Sequence, residues 1–112
     1  MNVSELSERA IQIKDIYAEL QKKERRPDLD SEDFALGFVK DVGDLMKLVM
    51  AKNGKRQVKD LDVKLGHELS DCLWSILVLA DLFSVDLESQ FIKTMDELDE
   101  KISKSIKNEY IK

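Results

Sequence analysis

Residues 60–83 read DLDVKLGHELSDCLWSILVLADLF. The run is too long for a strand and predicts one helix from roughly Asp60 to Phe83. Its second half is apolar nearly all round, and a helix of that kind is buried on more than one side. In so short a chain, a partner subunit is the simplest cover for the extra face. The most apolar part, Leu73 to Phe83, is broken by Ser75 and Asp81 and is too short to span a bilayer.

Working outward, a short basic loop, Lys55 to Lys59, precedes this helix, and Asn53-Gly54 before it marks the end of another. Gly takes the left-handed conformation at little cost, which makes the pair a good C-terminal stop. Asp30 or Ser31 can cap this second helix, with Glu32 and Asp33 in its first turn favouring the positive end of the dipole. Its apolar face reads Phe34, Ala35, Phe38, Val42, Leu45 and Val49. Helix one is expected to start near Asn2, where Asn2 and Glu5 stand in capping-box spacing. Val3, Leu6, Ala10, Ile13, Tyr17 and Leu20 then recur at helical steps, the stripe fades into Lys22–Arg26, and Pro27 marks the break. Beyond the opening run, Asp86 caps a fourth helix carrying Leu87, Phe91, Met95, Leu98, Ile102 and Ile106 on one face. No stretch reads as a strand, a repeat or a low-complexity linker. The expectation is an all-α fold: a four-helix bundle in one domain, residues 1–112, completed by dimerisation.

Composition agrees. The chain has 112 residues, 43% of them hydrophobic, with one Pro and four Gly, a helix-rich make-up short of chain breakers. A chain this small has a large surface for its volume, which keeps oligomerisation open. The net charge of -5 is spread along the sequence without an Arg-rich stripe, so polymeric nucleic acid is not the expected partner. The single Cys72 excludes an intrachain disulfide and fits a reducing compartment. The first residues, MNVSELSERA, lack the apolar stretch of a signal peptide, and the expected location is the cytoplasm, away from membranes.

Four carboxylates stand in poor places for solvent. On a wheel of about 100° per residue, Asp41 falls between Leu45 and Leu48 at the margin of helix two's apolar arc, and Asp44 is one turn on. Glu68 lies on the stripe of Ser75 and Leu79, and Asp71 is flanked by Val78 and Leu82. Each pair is spaced i, i+3, so its two carboxylates project from one side. Removing ionised carboxylates from water costs several kcal/mol each unless they are paired or coordinated. No Lys or Arg shares the helix-three stripe near Glu68 and Asp71; the nearest, Lys64, is a turn away. A hard dication with oxygen ligands would resolve the conflict, and Mg²⁺ suits carboxylates that also share waters and phosphate oxygens. The competing reading is four ordinary charges facing water.

The segments Lys40-Asp41-Val42-Gly43-Asp44-Leu45 and His67-Glu68-Leu69-Ser70-Asp71-Cys72-Leu73-Trp74 resemble the two signatures of the MazG-like, all-α nucleoside triphosphate pyrophosphohydrolases. That family reads E-E-x-x-E on one helix and E-x-x-D on the next. The likeness runs through Leu79-Ala80-Asp81 and Val85-Asp86-Leu87-Glu88, covering roughly residues 34 to 102. It implies Asp41, Asp44, Glu68 and Asp71 as ligands of Mg²⁺, with Mn²⁺ an alternative. It also implies cleavage of a (deoxy)nucleoside triphosphate to monophosphate and pyrophosphate, in the service of nucleotide-pool house-cleaning. One of Asp41 and Asp44 would act as general base on the attacking water.

The departures from the family pattern are Lys40 in place of the first Glu, Asp in place of the other helix-two acids, and Thr94 and Leu98 where relatives carry a Lys and an Asn toward the triphosphate. Lys93 is adjacent and is the candidate substitute; Ser75, a turn beyond Asp71, is a candidate ligand contact. These departures motivate the alternative of a nucleotide- or metal-binding regulatory module of the same fold with weakened catalysis. His67 reads as a solvated side chain, Cys72 as a buried thiol and Trp74 as packing rather than base stacking. A homodimer or dimer of dimers is the expected assembly. Neither base and sugar preference nor the number of metal ions follows from these residues.

Overall fold

A computed structural model describes residues 2–111, which form four helices: α1 (Val3–Lys23), α2 (Ser31–Lys52), α3 (Leu61–Leu82) and α4 (Leu87–Ile111). No strand occurs among the described residues. The caps explain the boundaries. Asn2 Oδ1 accepts the Glu5 amide at 2.9 Å. Asp30 accepts the Asp33 amide at 2.8 Å while the Asp33 carboxylate accepts the Asp30 amide at 3.0 Å, a reciprocal capping box. Asp86 Oδ1 accepts the Ser89 amide at 3.2 Å at the start of α4. Asp60, by contrast, precedes α3 with φ of 55° and makes no side-chain cap.

The first three helices end alike. The amides of Arg26, Lys55 and Val85 each reach back to the carbonyl five residues earlier, at 2.9, 2.9 and 2.8 Å. The residue before each is left-handed: Arg25, Gly54 and Ser84. Only Gly54 takes that conformation without a Cβ penalty.

Helix α3 is central, packed along its length on α2 and over a shorter stretch on α1. Side-chain partners show that α2 and α3 run antiparallel. Phe34 meets Trp74 edge-on at 5.6 Å, Asp41 and Asp44 meet Glu68, and Lys52 pairs with Asp62 at 2.8 Å. The seam on α2 passes through Phe34, Asp41, Asp44, Leu48 and Ala51. That on α3 passes through Leu65, Glu68, Cys72, Ser75 and Leu79. All ten are buried or half-buried, and their steps of three, four and seven residues are those of a coiled-coil interface. On the other side of α3, Trp74 Nε1 donates to the Ala10 carbonyl at 3.1 Å and fixes α1. Ala10, Leu77 and Val78 are buried around that junction.

A single chain does not close the expected four-helix bundle. Helix α4 makes only marginal contact with the other three, and the stripe Phe91, Met95, Leu98, Ile102 and Ile106 is exposed. Of its residues 87–108, whose burial is described, only Leu87, at its start, is half-buried. The chain extends over 66 × 40 × 27 Å with a radius of gyration of 18.5 Å, where a compact chain of this length has about 13 Å. Its accessible surface is 9127 Å², against about 6300 Å² for a compact monomer of this mass. The helix-two face also differs from the wheel. Ala35, Val42 and Val49 are exposed, while Leu48 and Ala51 are buried. The two aspartates occupy seam positions, so the true inner stripe is not the most apolar one. Among the described residues, no helix is long and apolar enough to cross a membrane.

Candidate metal centre

Asp41 and Asp44 stand one turn apart on α2, and Glu68 faces them from α3. One ligand oxygen from each of the three lies within 4.8 Å of the other two. All three residues are half-buried, an expensive position for three like charges. Glu68 bears most of that cost. Its Oε1 is buried without a hydrogen-bond partner. Its carboxyl is pushed above its ordinary value of 4.5, first by burial, then by the neighbouring Asp41 carboxylate and by the charges of Asp44 and Asp71. An acceptor with no donor in reach needs either a proton or a cation. Three neighbouring carboxylates, one of them with a buried oxygen left without a partner, form a hard-oxygen donor set of the kind Mg²⁺ and Mn²⁺ accept.

The fourth expected ligand lies outside this group. Asp71 is one residue off the α3 seam, and its carboxylate pairs with His67 Nε2 at 3.2 Å, one turn back on the same helix. It remains near enough to act on Glu68 through charge. The His67 side chain is 74% exposed, so the expected solvated histidine is found, with Asp71 as its partner. Cys72 is buried, and its thiol is pushed up by burial and by Asp41, Glu68 and Asp71, which leaves it protonated and inert. Trp74 packs through its bond to Ala10 and its edge contact with Phe34, and is half-buried.

Two depressions flank the cluster. One, of about 410 Å³, has Asp44 and Glu68 in its wall together with Lys47, Arg56, Lys64 and His67. The other, of about 450 Å³, has Asp41, Asp71 and Ser75 together with Tyr17, Phe34 and Trp74. Ser75 is thus buried and beside the acids, as a contact residue would be. Lys93 is not: it is exposed on α4 and lines neither depression. The adjacent Thr94 hydroxyl is bonded to the Gln90 carbonyl at 2.7 Å. The cations Lys47, Arg56 and Lys64 carried only a weak signal in the sequence. Their spacing of three from Asp44 and four from Glu68 is what marks Lys47 and Lys64 as neighbours of the acids.

The raised Glu68 carboxyl fixes a pH dependence. The folded, metal-free protein holds the proton more tightly than the unfolded chain. This contribution to stability is therefore complete below about 4.5 and is lost as pH rises through the folded value. In metal-free buffer, the denaturation midpoint of the wild type is expected to fall relative to that of Glu68→Gln as pH rises from 4.5 to neutrality. Parallel midpoints across that range would remove Glu68 as the strained group.

No protein-family model, curated protein or solved structure matches the chain.

Proposed function

We propose that the chain is an Mg²⁺-dependent nucleoside triphosphate pyrophosphohydrolase that converts (deoxy)nucleoside triphosphates to monophosphates and pyrophosphate in nucleotide-pool house-cleaning. One observation carries the reading. Two antiparallel helices bring together three carboxylates, including that of Glu68 with its buried, unpartnered oxygen, between a cation-lined and an aromatic-lined depression. The likeness of the Asp41–Asp44 and Glu68–Asp71 segments to the MazG-like signatures supplies the reaction type.

Asp41, Asp44 and Glu68 would hold the ion. When bound, Mg²⁺ neutralises phosphate oxygens and lowers the pKa of a coordinated water. The aromatic-lined side suits a base and the cation-lined side a phosphate tail. Asp44 lines the cation-rich depression and Asp41 does not, which favours Asp44 as the carboxylate that would take a proton. A water oxygen attacks the α-phosphorus, its proton passes to Asp44, and the bond to the bridging oxygen breaks with pyrophosphate leaving.

Incubation of a nucleoside triphosphate panel, modified and deoxy forms included, with Mg²⁺ is expected to give monophosphate and pyrophosphate in equal amounts. Asp44→Asn is expected to slow turnover by about a hundredfold or more, the range for loss of a general base. Release of single phosphates, or full activity in Asp44→Asn, would overturn the assignment. A second reading, a metal-dependent nucleotide-binding module without turnover, is favoured by one feature. Among the described residues, helix α4 stands clear of the cluster and lines neither depression beside it. Tight binding without products across the panel would select it.

A further inference from the structure

Resting on the metal-nucleotide reading above, we infer that Lys47, Lys64 and Arg56 form a subsite for the terminal phosphates of a metal-bound polyphosphate, on the α2–α3 loop side of the acidic cluster. Lys47 follows Asp44 by one turn on α2, and Lys64 precedes Glu68 by one turn on α3. The helices run antiparallel, so both lysines are displaced from the acids toward the same end, the end where the loop brings in Arg56. All three line the depression of about 410 Å³ whose wall includes Asp44 and Glu68. That size falls within the range of small-molecule sites. Leu48, Val58 and Val63 complete its surface with apolar groups.

The cations are available. Among the described residues Lys47, Arg56 and Lys64 have no ion-pair partner, whereas Lys52, just beyond, is bound to Asp62 at 2.8 Å. A bare anion approaching this depression meets the carboxylates, and a bare cation meets the lysines. A polyphosphate carrying a divalent ion satisfies both ends, with the ion toward Asp44 and Glu68 and the distal phosphates toward the loop. The arrangement supplies from α2, α3 and their connection the positive charge that α4 does not bring. It also sets the direction of the substrate, tail toward the loop and base toward Trp74 and Tyr17 on the opposite side.

Calorimetric titration of the full chain with inorganic tripolyphosphate, in Mg²⁺ and in chelator, tests this. The wild type is expected to bind tripolyphosphate only with Mg²⁺. The variant combining Lys47→Gln, Arg56→Gln and Lys64→Gln is expected to bind it at least about a hundredfold more weakly, each lost charged contact contributing roughly tenfold. Lys47→Arg with Lys64→Arg should keep most of the affinity, and Lys52→Gln should match the wild type. Titration with Mg²⁺ alone separates the two levels of the inference. If the wild type binds Mg²⁺ and the triple variant holds Mg²⁺–tripolyphosphate within about threefold of the wild type, the subsite is overturned and the metal centre stands. If the wild type binds no Mg²⁺, the metal reading fails and takes the subsite with it. Loss of tripolyphosphate with Mg²⁺ binding intact supports the subsite whether or not nucleotides turn over.

Discussion

Metal-free protein is expected to gain about 10 °C in melting temperature when Mg²⁺ or Mn²⁺ is supplied at about a hundred times its dissociation constant. Binding to the folded state alone adds about 2.7 kcal/mol under those conditions, and a chain of this size converts each kcal/mol to several degrees. Glu68→Gln should act in two opposite directions. It removes the charge on a buried oxygen that has no donor, so the metal-free variant should melt higher than the metal-free wild type. It also removes a ligand from the group of three, so the rise on adding metal should disappear. Asp71→Asn should keep most of the rise, because Asp71 is paired with His67 outside that group. Thermal melts with and without metal, with the helical spectrum as a check on folding, read all of these. A metal response that survives Glu68→Gln and vanishes in Asp71→Asn would place the ion elsewhere.

The second large effect concerns assembly. We propose that two copies associate, and the chain offers them three uncovered surfaces. One is the α4 stripe from Phe91 to Ile106. Another is a line along α3, Leu69, Leu73, Ile76 and Phe83, with exposures of 52, 43, 37 and 64% at the spacing of a helix seam. The third is the α1 face, where Leu6, Ile13, Tyr17 and Leu20 are each more than a third exposed and the expected burial is confined to Ala10. The surface exceeds that of a compact monomer by about 2800 Å², and obligate dimers bury about 2000 Å² or more in total. Light scattering at micromolar concentration is expected to show no dominant 12.9 kDa species. Leu73→Glu with Leu98→Glu should shift the protein toward monomer and lower its melting temperature, since each places a charge in an apolar seam. A monodisperse monomer in the wild type would sink the proposal.

Local chemistry made most of the helix boundaries legible. Asp30, Asn53-Gly54 and Asp86 are caps and stops whose effect depends on neighbours a few residues away, and α3 falls within a residue of its expected ends. The inner face of α2 was harder to read. A wheel that follows hydrophobicity selects the exposed Ala35, Val42 and Val49 along with Phe34, Phe38 and Leu45, because it counts Asp41 and Asp44 against the stripe they actually occupy. The same shift explains the site. Asp41, Asp44 and Glu68 come together since all three are seam residues, and Asp71 does not because the α3 seam passes from Glu68 to Cys72. The Lys93 expectation came from its place beside Thr94 in the family pattern, and a pattern does not say where α4 packs. An amphipathic stripe says that a face is to be covered without saying by which chain.

The bond from Trp74 Nε1 to the Ala10 carbonyl gives the molecule an optical consequence. Trp74 is the sole tryptophan, so all indole emission comes from the place where α1 meets α3. Detachment of α1 breaks that bond and wets the ring, and the emission then moves to longer wavelength while the α2–α3 pair can stay intact. The same ring lines the depression that holds Asp41, Asp71 and Ser75, and Phe34 lies edge-on against it. A ligand seated there alters the brightness of a single fluorophore without any label. One spectrum therefore reports the docking of α1 and the filling of that depression by separate changes, the first in colour and the second in intensity.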